Sequence, residues 1–375
     1  MRLLAITKCQ PGMRLGKHIF NEDGRILLGA KVELTEVLIR RLQEHGVDYI
    51  CVEDERTEDV IMPDVISERT RSRAIAQIRT SFRMVMEDGW RRRAAGSLAK
   101  EFKEVLTMIL DDLSEQQDAM VMLMDMGVYD HYLYQHSLNV CIYACSLGMH
   151  IGYSRNDLYT LGLGALLHDI GKMRTPIDIL NKKGKLTPEE FAVMQQHAEI
   201  GYRILKEEAN IPLVSAHCAL QHHERIDGSG YPRGLAGSEI HEFAQWIGLV
   251  DSYDAMTSHR VYRKAMLPHQ AIESLYTGAG TLYTVDKVAA FRDKIAMYPL
   301  GITVSLTTGE SGVVVDINAS CPHRPIIRIL EDQEGRTLKE PYEIDMSKQL
   351  SVMITDYSEP PMDAISASGH MGGIA

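Results

Sequence analysis

The stretch that decides the fold is Leu166-Leu167-His168-Asp169-Ile170-Gly171-Lys172, where an apolar helix runs into two polar side chains. A histidine and an aspartate that are adjacent at a helix end cannot both point into the core. Both can, however, turn toward one ion just beyond the helix terminus, and the two oxygens of the aspartate can bridge two ions. The stretch therefore predicts a helical domain with a metal site at the end of one helix.

Other predicted helices carry side chains of the same kind. One histidine alone is more often a satisfied core or surface residue than a metal ligand. A His-Asp pair, a His-His pair and an inward-facing aspartate within one domain are harder to explain as packing, because a lone buried carboxylate is very costly. Imidazoles and carboxylates without thiolates favour iron, manganese or another first-row ion over structural zinc. The candidate ligands are His136, His168, Asp169, His197, His222, His223 and Asp251.

The hydrophobic pattern divides the chain into five segments. Residues 1–62 predict a small α+β unit of unknown role, and residues 63–126 predict a helical linker. Residues 127–299 are helical in pattern almost throughout and hold every candidate ligand. Residues 300–357 predict a small β appendage, and residues 358–375, rich in Gly, Ser and Pro, predict a flexible tail. The expected fold class is mostly α, with an all-helical catalytic domain between two smaller units.

The β appendage is predicted from short runs of β-branched residues separated by turns. The runs cover residues 302–306, 311–317, 326–330 and 350–354. Each is five to seven residues long, which is typical of strands in a small antiparallel sheet.

Composition excludes several classes of protein. The chain has 375 residues, of which 45% are hydrophobic and 24% are charged, as in an ordinary globular protein. A formal net charge of -11 argues against binding to a nucleic-acid polymer. No apolar stretch reaches the roughly 18 residues of a membrane helix. Six scattered cysteines without a Cys-x-x-Cys pair indicate a reducing compartment, so the expected location is cytoplasmic.

Three motifs resemble those of a known family. His-Asp-x-Gly-Lys at residues 168–172 resembles the signature of the HD phosphohydrolase superfamily. Residues 222–232, which end in Gly-Tyr-Pro at 230–232, resemble the extended signature that names the HD-GYP subfamily. Residues 251–263 are similar to the next conserved block of that subfamily. The resemblance covers residues 129–299, nearly half of the chain.

The resemblance implies an all-helical catalytic domain that hydrolyses cyclic di-GMP, or a related cyclic dinucleotide, in bacterial second-messenger signalling. Members of the family hold two or three metal ions, and the trinuclear members carry an acidic residue one turn before the first histidine. That position is Tyr132 here, so we expect two divalent ions, iron or manganese. By the resemblance, one ion is held by His136, His168, Asp169 and Asp251, and the other by Asp169, His197, His222 and His223.

Several further residues are expected to act on the substrate. Lys172, one turn past Asp169, is expected to reach the phosphate or the activated water, although a lysine there also complements the helix dipole. Arg260 and Arg263 suit bidentate contact with a phosphate. The other predictions are Asp254, Tyr231 and Gly230 for substrate contact, and Glu224, Asp227, Gly228 and Pro232 for shaping the loop or supporting the ligands.

The predicted function is therefore a metal-dependent cyclic-dinucleotide phosphodiesterase in which Asp169 and Lys172 act in catalysis. A receptor that binds the cyclic dinucleotide with little turnover is the first alternative, since the ligand set does not separate the two. Another HD-type nucleotide phosphohydrolase is the second alternative, and the Gly-Tyr-Pro extension argues against it. Expected partners are the dinucleotide, a second copy in a homodimer, and a protein that contacts the Gly-Tyr-Pro loop.

Overall fold

The described part of the chain is mostly helical, which confirms the predicted fold class. The computed structural model describes residues 1–20, 25–45, 47, 49–62, 64–87, 97–115, 132–182, 184–258, 266, 268–318 and 321–357. Within these ranges the chain forms eleven α-helices, nine β-strands and several short 3₁₀ turns. Arg260, Arg263 and the predicted tail at 358–375 lie outside the described residues.

The N-terminal unit combines one helix with two pairs of antiparallel strands. Strands β1 and β4 pair with each other, as do β2 and β3. The Oγ1 atom of Thr35 accepts a hydrogen bond from the amide of Leu38, so Thr35 caps α1. The elements are β1 (Arg2–Ala5), β2 (Ile19–Phe20), β3 (Ile26–Leu28), α1 (Glu36–Glu44) and β4 (Tyr49–Val52).

Two long helices connect this unit to the helical domain. They are α2 (Glu68–Met86), which Ser67 caps, and α3 (Ser97–Ser114). Their apolar faces pack against each other and against the helical domain in one continuous core. Helix α2 also packs on the 3₁₀ turn Ile170–Arg174, which follows the decisive His-Asp pair.

The helical domain consists of eight helices around an apolar core. They are α4 (Tyr132–His150), α5 (Arg155–Leu167), α6 (Ile177–Leu180), α7 (Pro188–Lys206), α8 (Leu213–Gln221), α9 (Glu242–Thr257), α10 (Pro268–Thr277) and α11 (Val285–Lys294). Helix α7 starts where the sequence predicts, because Thr187 and Glu190 form a reciprocal capping box. Helix α5 lies at the centre, and its residues from Leu158 onward are nearly all buried. No helix among the described residues is long and apolar enough to span a membrane.

The C-terminal segment forms a five-stranded antiparallel sheet with the strand order β8-β7-β6-β5-β9. The strands are β5 (Thr303–Leu306), β6 (Ser311–Asp316), β7 (Ile326–Glu331), β8 (Thr337–Asp345) and β9 (Ile354–Tyr357). The sequence pattern missed β8 because it is a largely exposed and polar edge strand that contains Pro341. The run predicted at 350–354 was wrong in position, since strand pairing there begins at Ile354.

The N-terminal unit and the C-terminal sheet share one core. The amide of Leu3 donates to the carbonyl of Gly301 at 2.7 Å, and Leu3 packs with Met62 and Ile302. Arg328 in β7 donates from both terminal nitrogens to the carboxylate of Asp59, at 2.6 and 2.7 Å. The two ends of the described chain are therefore joined beside the helical domain.

Candidate metal centre

Five helices bring the seven predicted metal ligands together. His168 and His222 occupy the residue just past the ends of α5 and α8, where a side chain can leave the helix axis. His136, His197 and Asp251 project from within α4, α7 and α9. Six of the seven residues are buried, and His223 is partly exposed.

The first group of ligand atoms lies between α4, α5 and α9. Nε2 of His136 is 3.0 Å from Oδ1 of Asp251, and Nε2 of His168 is 3.9 Å from the same oxygen. Oδ2 of Asp169 lies 3.7 Å from Nε2 of His136 and 3.4 Å from Nε2 of His168. His136, His168 and Asp251 offer ligand atoms that all lie within 4.8 Å of one another, close enough to hold one ion.

The second group lies on the other side of Asp169. Oδ1 of Asp169 is 3.5 Å from Nε2 of His197 and 3.8 Å from Nε2 of His222. Together with His223, these residues form a second set of ligand atoms that all lie within 4.8 Å of one another. Asp169 thus turns one oxygen toward each group, which is the arrangement of a bridging carboxylate.

Hydrogen bonds orient three of the imidazoles toward the centre. The Nδ1–H groups of His168 and His197 donate to the carbonyls of Ala165 and Met194, both at 2.7 Å, and His222 does the same within α8. A backbone acceptor at Nδ1 leaves the lone pair of Nε2 on the inner side of each ring. Each acceptor is the helix carbonyl three residues before its histidine, so the helix itself provides it.

The inner polar atoms fit a bound cation. Nε2 of His168 and Oδ1 of Asp169 are buried and have no hydrogen-bond partner among the residues that the structure describes. Leaving such a group unsatisfied costs about 1–3 kcal/mol. Divalent ions, one in each ligand group, would satisfy the two atoms, and their chemistry suits a first-row metal. The buried cluster is therefore compatible with divalent metal binding.

Burial and local charges keep four of the ligands, His197, His222, His223 and Asp169, in their metal-binding forms. Burial, with the Lys172 ammonium nearby, lowers the pKa of His197 to about 4. Burial and neighbouring imidazoles also hold the pKa values of His222 and His223 well below their usual value. Burial alone would raise the pKa of Asp169, but Lys172 and the surrounding histidines outweigh it and lower the pKa well below its usual value. Neutral imidazole and ionised carboxylate are the forms that bind metals.

His136 differs from the other histidines because a carboxylate lies at each of its ring nitrogens. Its Nδ1 is 2.7 Å from Oδ2 of Asp254, opposite the 3.0 Å contact with Asp251. Burial alone would lower the pKa of His136, but hydrogen bonds to Asp251 and Asp254 outweigh burial and raise it to about 9. Asp254 is only 2% exposed. The structure thus corrects its prediction as a substrate contact, because its carboxylate lies behind His136.

A glycine allows α7 to approach the His-Asp corner. A Cβ atom on Gly171 would lie 2.0 Å from the carbonyl oxygen of His197 and 2.7 Å from the amide of Gly201. Only glycine fits this crossing, which brings His197 next to Asp169. This role could not be predicted from the sequence, because the steric demand comes from a helix that begins 17 residues later (188 − 171).

Lys172 lies at the edge of the cluster. Its Nζ atom donates to Oδ2 of Asp169 at 2.6 Å, and its side chain is 21% exposed. It is therefore a cation in direct contact with the carboxylate that faces both ligand groups. Arg260 and Arg263, the predicted phosphate contacts, are outside the described residues.

The loop after His223 is held by one buried carboxylate. Oε1 of Glu224 accepts a hydrogen bond from the amide of Arg233 at 2.8 Å, and Oε2 accepts one from the amide of Leu235 at 2.9 Å. A Cβ atom on Gly230 would lie 2.4 Å from the amide nitrogen of Arg225, so only glycine fits there. Glu224 and Gly230 therefore fix the shape of the loop.

The remaining predicted loop residues lie around this frame. The ring of Tyr231 stacks on the imidazole of His223, with centroids 4.6 Å apart. Asp227 accepts hydrogen bonds from the amide and hydroxyl of Ser229, and Gly228 has a positive φ of 81°. Pro232 is exposed and follows a cis peptide bond. Tyr231 thus touches a candidate ligand, whereas Asp227, Gly228 and Pro232 lie at the turn.

The helical domain thus brings two sets of imidazoles to one shared aspartate. The family model described as "HD domain" matches residues 114–286. A second model, "KOW domain associated with HD domain", matches residues 303–362. Residues 114–286 therefore match the HD domain family, which confirms the resemblance found in the sequence.

Several characterised relatives are similar to this chain. A Pseudomonas aeruginosa protein named cyclic di-GMP phosphodiesterase is 34% identical over 225 residues, covering 59% of this chain and 54% of its own length. A Thermotoga maritima protein with the same name is 38% identical over 196 residues, or 52% of each chain. A Vibrio cholerae 3'3'-cGAMP-specific phosphodiesterase is 34% identical over 168 residues, covering 45% of this chain and 36% of its own. The chain spans about half the length of the first two.

Proposed function

We propose that this protein is a metal-dependent phosphodiesterase that hydrolyses a cyclic dinucleotide, with cyclic di-GMP as the first candidate. The observation that carries the proposal is the position of Asp169, whose two oxygens face two separate sets of imidazoles. The names of the relatives in Pseudomonas aeruginosa and Thermotoga maritima support the substrate class. The Vibrio cholerae relative makes 3'3'-cGAMP the alternative substrate.

The proposed centre holds two divalent ions, with iron or manganese favoured by the donor atoms. Such ions supply a water of lowered pKa and neutralise phosphodiester oxygens. One ion would be held by His136, His168, Asp169 and Asp251, and the other by Asp169, His197, His222 and His223.

The protein groups around the centre bind and orient the phosphodiester. Lys172 is partly exposed and lies against Asp169, so its ammonium can bind a phosphate oxygen at the edge of the centre. Tyr231, stacked on His223, forms one wall beside the ligands. Arg260 and Arg263 stay predicted phosphate contacts.

Product analysis separates the enzyme from the alternative functions. The full-length protein is loaded anaerobically with Fe²⁺ or Mn²⁺, incubated with cyclic di-GMP or 3'3'-cGAMP, and the products are separated by chromatography. We expect a linear dinucleotide or mononucleotides. Binding without any product would favour the receptor, whereas hydrolysis of nucleoside monophosphates or triphosphates alone would favour another HD-type phosphohydrolase.

A matched pair of histidines on one helix provides the control. His222 is a proposed ligand, whereas His217, on the same helix α8, contacts the ring of Tyr202 instead. His222→Gln should lower hydrolysis more than about 100-fold, beyond the loss typical of groups that only support a metal ligand. His217→Gln should keep the wild-type rate. Equal rates in the two variants would contradict the proposed centre.

The predicted homodimer, the protein contact at the Gly-Tyr-Pro loop and the cytoplasmic location stay predictions. Sedimentation of the full-length protein measures the oligomeric state directly. A dimer would sediment at twice the mass of the 42.1 kDa chain.

A further inference from the structure

A chain of buried polar side chains leads from the interior of α4 to His136. Nε2 of Gln135 donates to Oδ1 of Asn139 at 2.7 Å, and Nδ2 of Asn139 donates to Oδ1 of Asp254 at 2.9 Å. Oδ2 of Asp254 then lies 2.7 Å from Nδ1 of His136. Gln135, Asn139 and Asp254 are each no more than 4% exposed.

The direction of this chain follows from the chemistry of its members. An ionised Asp254 can only accept hydrogen bonds, so Asn139 has to present its amide nitrogen to it. The amide oxygen of Asn139 then faces Gln135, which has to present its own amide nitrogen. Each orientation determines the next, and an amide at position 139 is the group that donates to Asp254 and accepts from Gln135.

Asn139 and Ser258 hold Asp254 from two sides. Ser258 donates its hydroxyl to Oδ2 of Asp254 at 3.2 Å, while Asn139 donates to Oδ1. A carboxylate held at both oxygens receives the Nδ1–H of His136 in one fixed geometry. The opposite ring nitrogen, Nε2, is thereby kept 3.0 Å from Asp251 and 3.7 Å from Asp169.

We propose that Asn139, supported by Gln135, is a positioning residue for the metal ion on the His136 side of the centre. It fixes Asp254, which fixes the tautomer and orientation of His136. The inference rests on the proposed dinuclear centre. It extends the centre beyond the ligands by three residues, Asp254, Asn139 and Gln135, and Asn139 follows His136 by one turn of α4.

The two ligand groups allow this role to be separated from a general contribution to folding. Asn139 acts only on the group that contains His136, His168 and Asp251. The group around His197 lies on the other side of Asp169, and no hydrogen bond between described residues joins it to this chain of amides. Loss of Asn139 should therefore weaken one class of metal site and leave the other unchanged.

The experiment is a calorimetric titration of the metal-free full-length protein with Mn²⁺ alone. The wild type should show two classes of site. Asn139→Leu keeps the number and branching of the side-chain heavy atoms but has no donor, and it should weaken one class by about 10–100-fold, as loss of a group that supports a ligating histidine does. The other class should keep its affinity. Gln135→Met, which removes only the support of Asn139, should weaken the same class by a smaller factor.

Two controls accompany this titration. The first separates metal affinity from folding stability, and the second tests whether Asn139 acts through Asp254. Ser215→Ala removes a buried 2.7 Å hydrogen bond between α8 and α5, so it should lower the melting temperature without changing either affinity. In an Asp254→Ala background, adding Asn139→Leu should have no further effect on Mn²⁺ binding.

Four outcomes would overturn the inference. Unchanged Mn²⁺ affinities in Asn139→Leu would do so while leaving the proposed centre intact. An equal loss of Mn²⁺ affinity in both classes of site would show that Asn139 contributes only to folding. The same conclusion would follow if Ser215→Ala lost Mn²⁺ affinity in proportion to its fall in melting temperature. A wild-type protein that binds no Mn²⁺ would overturn the dinuclear centre itself, and the inference with it.

Discussion

Replacing Gly171 with alanine tests how closely the metal centre depends on one helix crossing. The new Cβ would lie 2.0 Å from the carbonyl oxygen of His197, whereas ordinary Cβ contacts begin at 3.4 Å. The obstacle is the backbone of α7, so the helix has to retreat by about 3.4 − 2.0 = 1.4 Å. Nε2 of His197 is now 3.5 Å from Oδ1 of Asp169, and a retreat of this size exceeds the roughly 0.2 Å tolerance of metal–ligand distances several-fold.

Gly171→Ala should therefore lose metal and activity together. We expect the rate of cyclic di-GMP hydrolysis to fall by about 100-fold, which is typical of a 1 Å displacement of reacting groups. The free energy of unfolding should fall by about 1–3 kcal/mol because the crossing is overpacked. Metal content by mass spectrometry, initial rates by chromatography and urea unfolding measure the three quantities.

Gly201 offers a matched control in the same crossing. A Cβ atom there would lie 3.4 Å from Cβ of Ala219 and from the amide of Gly171, which is ordinary contact. Gly201→Ala should keep its metal and its rate, and gain up to about 1 kcal/mol from the better helix propensity of alanine. If Gly171→Ala retained wild-type metal content and rate, or if Gly201→Ala were the worse variant, the steric reasoning would be refuted.

Three further changes have defined outcomes. Lys172→Met should lower kcat/KM for the cyclic dinucleotide by about 100–1000-fold while the metal content persists, and an unchanged kcat/KM would exclude the proposed phosphate contact. Glu224→Leu leaves two loop amides without their acceptor, so the free energy of unfolding in urea should fall by about 1–3 kcal/mol. Trypsin should also cut residues 225–235 faster, and unaltered cleavage would contradict the role of Glu224. The Asp59→Asn variant tests the pH dependence of stability. Arg328 lowers the pKa of Asp59 from 3.8 to about 2. The pair therefore stabilises the folded chain above pH 3.8, and that contribution is lost as the pH falls toward 2. The unfolding free energies of wild type and variant should therefore converge in acid, and a gap that is constant with pH would count against the pair.

The candidate ligands could be predicted from sequence because they occur as a set within one helical segment, and packing alone hardly explains such a set. His168 and Asp169 follow an apolar helix directly, and His222 and His223 are adjacent. Helix α7 begins where Thr187 and Glu190 place it, because capping is a local interaction. Such local signals can be recognised without knowing which helices pack against each other.

The direction of Asp254 could not be predicted in the same way. Its spacing from Asp251 puts both on one side of α9, and that much is correct. Whether a carboxylate there faces a ligand or a neighbouring helix depends on α4, more than 100 residues earlier in the chain. Asn139 follows Gln135 and His136 by one turn on α4, and this spacing of polar residues in a mainly apolar helix could have drawn attention to it.

Long-range packing also hid the relation between the two smaller units. The sequence shows apolar residues at Leu3 and at Ile302, but not that they pair. Strand β8 escaped prediction because an exposed edge strand has little apolar alternation.

The pairing of Leu3 with Ile302 has a consequence for synthesis on the ribosome. The two residues are 302 − 3 = 299 positions apart, and the complete helical domain lies between them. At about 5–20 residues per second, the first strand waits roughly 15–60 seconds for the sheet that covers it. Nascent chains halted before residue 300 should therefore carry a compact helical domain and an uncovered, protease-sensitive amino-terminal strand.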